Sequence, residues 1–195
     1  LAFLNMGLAL FVLTAVTARF AFSVVCSERE AFWIIKTAPL SIRTFLWIKF
    51  SIYFLPLLIL TEVLIVITNT LLKVAPFMMG LSVLTVCAMV PGIVAMGIAF
   101  GAFNPDFRTE NPAQAVTGFD GLLFMVFSTA FIAAVLALEA GPVYHYFMAQ
   151  LRGRPLPAFW LLRTWASGLL VVLLCLAATL IPMAVGQKRL ERKAV

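Results

Sequence analysis

Apolar residues fill five long runs of the chain, and polar residues gather between them. The runs cover about Leu1 to Ala18, Phe45 to Leu72, Pro76 to Phe103, Phe119 to Phe147 and Pro157 to Val185. A bilayer core about 30 Å thick takes about 20 apolar residues of helix, so each run predicts one span. All five must be helices, because lipid offers the backbone no hydrogen-bond partner. Period-two alternation is absent, which excludes an outer-membrane barrel. The second run, about 28 residues or about 42 Å of helix, must tilt or project. Trp47 and Lys49 are its expected interfacial anchors. The fourth has a polar start at Asp120 and a polar end at Glu139, so its lipid-facing core is predicted to be shorter.

Composition agrees with this pattern. Of 195 residues, 64% are hydrophobic and 11% charged, and the mean hydropathy is +1.09. A soluble domain is about 45–50% apolar and about 25% charged, and one of this size could not bury so many apolar side chains. A disordered chain, a secreted disulfide scaffold and a free nucleic-acid-binding domain are thereby excluded. The expected fold class is all-α. It is a polytopic membrane helix bundle of about five transmembrane helices plus a short amphipathic cytosolic helix, one domain over residues 1–195. The chain starts at Leu1, without an initiator Met and already inside an apolar run. It therefore reads as a fragment of a longer protein whose earlier part is missing.

The net charge of +6 is unevenly placed. Ten of the fourteen Lys and Arg side chains fall at one set of helix ends: between Arg19 and Lys49, at Arg108, and from Lys188 to Lys193. The other ends hold Lys73, Arg152, Arg154 and Arg163. The richer set predicts the cytosolic side, so the C-terminal tail is expected there.

Two polar segments stand on that side. In the first, Ser27 followed by Glu30 is a capping box, which predicts a helix start at Glu28. Pro39 restricts Ala38 and ends it. The helix is too short to span, and its apolar side suits the membrane surface. It is either a connector or a docking helix for a cytosolic subunit. The second segment, Phe103 to Gly118, carries two Asn-Pro turns and is longer than a plain connector needs. It is either a solvated loop or a second contact surface.

Within the spans, Glu62 sits at bilayer depth, where a carboxylate costs about 2.5–3.5 kcal/mol on insertion scales. It must face the bundle or carry a proton. Asn69 lies two turns on along the same face. A helix–helix hydrogen bond is favoured over a proton relay or a substrate contact, because no second buried carboxylate or His stands nearby in the sequence to complete a relay. Gly97 and Gly101 form a G-x-x-x-G, extended by Ala88 and Gly92, which predicts close helix packing. Cys26, Cys87 and Cys175 are expected to be buried small hydrophobes. His145 is the only His, so no metal site is expected. There is no H-E-x-x-H, no Ser-centred elbow and no phosphate-cradling glycine loop.

The stretch Arg19-Phe20, Ser27 to Ser41 and Lys49-Phe50, followed by Phe100 to Pro112, resembles the type-two class of bacterial ABC exporter permeases. The resemblance covers about Ala18 to Gly121. It implies a permease subunit moved by a separate ATPase. Glu28, Arg29, Glu30, Phe32, Trp33 and Pro39 would form one docking region, and Asn104, Asp106, Asn111 and Pro112 another. It also implies an inner-membrane location, a homo- or heterodimer of permeases, ATP held by the partner subunit and no cofactor on this chain. On this reading the chain is not itself an enzyme. Two alternatives stand beside it: an ion-coupled carrier with Glu62 as proton carrier, and an integral-membrane enzyme using Glu139, His145 and Arg152.

Overall fold

The computed structural model describes the backbone of residues 2–22, 41–103, 118–152 and 158–194. Every element among these residues is helical. Five helices are long and apolar enough to cross a membrane. They are α1 (Ala2–Thr17), α2 (Ile42–Leu71), α3 (Pro76–Phe103), α4 (Phe119–Arg152) and α5 (Ala158–Ala194). The all-α membrane bundle expected from the apolar runs is thus the observed architecture. The amphipathic helix expected from Glu28 lies outside the described residues.

Three ends differ from expectation. The first helix does not stop at Arg19 but continues through one π-helical turn, Ala18–Phe22. Ala18, Ala21 and Phe22 of that turn are buried, so packing carries the chain past the charge. Helix α4 runs through Glu139 and Pro142 to Arg152. Helix α5 continues beyond Val185 into its polar tail, where Leu190 is buried and the Arg189 guanidinium lies 4.9 Å from the Phe103 ring centroid. Burial thus extends α1 and α5 beyond what local polarity predicts.

Local signals account for the other ends. Ser41 caps α2, its Oγ accepting from the Thr44 N–H at 3.1 Å. The turn into α3 closes with Lys73 N–H donating to the Thr70 carbonyl and Val74 N–H to the Asn69 carbonyl, both at 3.1 Å. Lys73 takes the left-handed φ of 49° that this helix stop requires, a place usually held by Gly.

Helix α3 is central: every residue from Gly92 to Ala102 is buried, so this stretch is covered on all faces. It packs most extensively against α5 and next against α2. Contacts fix the directions. Gly92 lies against Ala178, and Gly186 against Ala99, so α3 and α5 run parallel. Phe22 meets Phe124, and Gly7 meets Leu136, so α1 and α4 are antiparallel. The odd-numbered helices therefore share one direction and the even-numbered ones the other. Apolar side chains such as Leu55, Ile59 and Leu60 of α2 point outward, suited to lipid. Cys87 is exposed as well, unlike buried Cys175. The expected burial of all three thiols is corrected for Cys87, whose apolar character suits a lipid-facing position equally well.

Candidate functional site

Most buried hydroxyls in this bundle bond back to their own helix. Thr14 donates to the Leu10 carbonyl at 3.0 Å, and Thr61, Ser82 and Ser128 each donate four residues back at 2.7 Å. Such bonds settle a hydroxyl locally and leave nothing for a neighbour. Two hydrogen-bonded clusters among the described residues reach between helices, and they are places where this apolar core carries chemistry.

The first joins α3 to α4. Thr85 Oγ1 donates to Glu139 Oε1 at 2.6 Å. Glu139 is only 9% exposed, and its Oε2 has no hydrogen-bond partner among the described residues. Cys175 of α5 lies within electrostatic range of the carboxylate. Thr85 stands nine residues into the 28-residue α3, or about 14 Å along its axis, so the pair sits about a third of the way along that helix. Pro142 follows within one turn of Glu139. Its ring leaves the Leu138 carbonyl without its usual donor and loosens the helix there.

Glu139 also lines a cavity of about 300 Å³ between the start of α3, the second half of α4 and the start of α5. Phe77, Leu81, Val143 and Tyr146 supply apolar wall, and Thr164 and Ser167 bring hydroxyls. The Phe77 and Tyr146 rings stack with centroids 4.0 Å apart and an interplanar angle of 20°. His145 lines the cavity too, with Tyr144 edge-on to its ring. Among the described residues no three His, Cys, Asp or Glu side chains converge as a metal would need.

The second interhelical cluster ties α1 to α2. Asn5 Nδ2 donates to Thr68 Oγ1 and to Asn69 Oδ1, both at 2.8 Å. Asn69 is fully buried and its Nδ2 finds no acceptor among the described residues.

Glu62 and Asn69 share a face of α2 but have different fates. Asn69 is held by Asn5, whereas neither Glu62 oxygen has a partner among the described residues. A second buried carboxylate does exist, in Glu139 on α4. The expectation of none looked only along the sequence near Glu62. Glu139 itself was expected to mark the end of a shortened span. It lies instead within a continuous helix, because a bundle interior supplies it with Thr85.

Three of the four glycines of α3, Gly92, Gly97 and Gly101, sit at close approaches. A Cβ on Gly92 would lie 3.2 Å from Ala178 Cβ, and one on Gly97 2.6 Å from Thr17 Cγ2. One on Gly101 would collide with the Phe22 carbonyl oxygen. The ten residues expected to dock an ATPase, from Glu28 to Pro39 and from Asn104 to Pro112, lie outside the described residues. Asn5 and Thr85 were missed. Asn5 has a usable signal, a lone amide in an apolar run; Thr85 does not differ in sequence from the hydroxyls that bond back to their own helix.

The comparisons with known proteins bear on the family. No curated protein matches the chain, and no solved structure matches it. A family model described as "Putative ATP-binding cassette" matches residues 1–195, the whole chain, and ties it to ABC transporters. This overturns the expected assignment to the type-two permease family. That resemblance rested on a capping box, a helix-ending proline and Asn-Pro turns. Any short interfacial helix or loop can use these devices, so they do not distinguish families. The chain, whose described residues form five helices long and apolar enough to cross a membrane, belongs to the family described as "Putative ATP-binding cassette".

Proposed function

We propose that the chain is the membrane-spanning part of an ATP-driven, ABC-type exporter, and that a separate cytosolic ATPase binds and hydrolyses the nucleotide. One observation carries this reading. A chain of an ABC family consists, among its described residues, of five apolar helices without a strand, and its sequence contains no glycine-rich phosphate loop. A nucleotide-hydrolysing centre needs that loop to cradle the phosphates. On this proposal the Lys- and Arg-rich helix ends face the cytosol of a bacterial inner membrane, and the C-terminal tail lies inside. The permease part works as a homo- or heterodimer. Glycine seams along α3 allow helices to shift against one another, and the prolines within α2 to α5 give each a weak point.

Purification from membranes tests it. The wild-type chain is expected to bring down an ATPase, and reversing both charges of Glu28 and Arg29 is expected to lose that partner without preventing insertion. Undiminished ATPase with the double variant would remove the docking role. ATP hydrolysis by the wild-type chain alone would overturn the reading.

An ion-coupled carrier has one observation in its favour, the unpartnered carboxylate of Glu62 at bilayer depth. On that alternative Glu62→Gln abolishes transport by vesicles and its response to a proton gradient. Transport that survives the substitution disposes of it.

A further inference from the structure

Among the described residues, the cavity beside Glu139 combines space, shape and a buried carboxyl oxygen without a hydrogen-bond partner. Its volume of about 300 Å³ is at the lower end of what small organic ligands occupy. The stacked Phe77 and Tyr146 rings form part of its wall, and Phe77, Thr164 and Gly168 are exposed at its rim. Glu139 is more than nine-tenths buried, and Thr85 answers only one of its two oxygens. A buried carboxylate in this setting is costly until a positive partner arrives. Among the described residues that line the cavity there is no Lys or Arg. His145, a basic side chain on its wall, has its own ring contact with Tyr144.

We propose that this cavity is a binding site for a lipophilic organic cation of the aryl quaternary-ammonium class. The aryl group packs on the apolar wall, and the cationic head sits near Glu139 and against the aromatic faces. Cation–π attraction and an ion pair in a poorly hydrated site act in the same direction. An anion of similar size meets the same apolar surface but an opposing charge. A quaternary ammonium also suits entry from a membrane, because it keeps its charge without carrying a tightly held hydration shell. The site needs neither an ATPase nor translocation, so it stands or falls apart from the transport reading.

Calorimetric titration of the full chain in detergent with benzyltriethylammonium tests the site, with p-toluenesulfonate as the aryl anion. The wild type is expected to bind the cation saturably and the sulfonate at least about tenfold more weakly. Glu139→Gln keeps the size and an acceptor for Thr85 but removes the charge. It is expected to weaken cation binding by about tenfold or more. A Cβ at Gly168 meets nothing within 4 Å, so Gly168→Phe is tolerated by the backbone and is expected to block the rim and abolish binding. If Glu139→Gln does not elute as a folded species, Gly168→Phe decides. No cation binding by the wild type, equal binding of the sulfonate, undiminished binding by folded Glu139→Gln, or undiminished binding by Gly168→Phe overturns the proposal.

Discussion

Gly101→Ala is expected to destabilise the bundle by about 1–3 kcal/mol, the range for forcing extra volume into a packed interior. The added methyl would collide with the carbonyl oxygen of Phe22, a backbone atom of the π-helical turn. A flexible side chain could swing away from such a contact; this carbonyl moves only if the turn moves. Phe22 is itself buried and its ring packs against Phe124, 6.1 Å between centroids, so the turn is held from its other side. Gly80 lies on the same helix and provides the contrast. A Cβ there meets nothing within 4 Å, and Ala is favoured over Gly inside a helix by about 0.5–1 kcal/mol. Gly80→Ala is therefore expected to leave stability unchanged or raise it slightly. Unfolding of the purified variants by denaturing detergent measures both. Equal stability of Gly101→Ala and wild type would show that α1 and α3 can separate at this point without loss.

Spans are legible in this sequence because the solvent that selects them is uniform. Lipid accepts any apolar side chain and no bare backbone, so length and hydropathy alone locate the helices, and α3 begins and ends at Pro76 and Phe103 as its apolar run does. Two of the helices that run past the expected end, α1 into Phe22 and α5 past Val185, carry buried residues there, Phe22 and Leu190. Pairing between helices is less legible. Thr85 reads like Thr14, Thr61 or Ser82, yet those bond to their own helix and Thr85 reaches Glu139, 54 residues away. Asn5 meets Asn69 across a separation of 64 residues. A period of 3.6 residues tells which positions share a face; it does not tell which face of another helix lies opposite. Glu139 was visible as a polar residue and read as the polar end of a shortened span, yet the helix continues through Gly141-Pro142. In a membrane bundle such a pair is tolerated inside a helix, because neighbours take up the freed backbone groups.

Thr85→Val is the second substitution with a large expected effect, because it removes a donor and adds no volume. It leaves a carboxylate that is 9% exposed with neither oxygen bonded among the described residues. Stranding a buried acceptor costs about 1–3 kcal/mol, with more when the acceptor is charged. Thr85→Ser retains the hydroxyl and is expected to keep most of the stability. Ser82→Ala, which removes only a bond to the same helix at Met78, is expected to cost far less. A double-mutant cycle separates the pair from its surroundings. Glu139→Leu alone strands the Thr85 hydroxyl, which can fall back on a carbonyl of its own helix as Thr61 and Ser128 do. With Thr85→Val and Glu139→Leu together, no polar group of the pair remains to be stranded. The double variant is therefore expected to be more stable than the sum of the single losses implies, by about 0.5–3 kcal/mol of coupling. Strict additivity would mean that the 2.6 Å contact does not hold α3 to α4. The carboxylate would then be kept in the core by something other than its one donor.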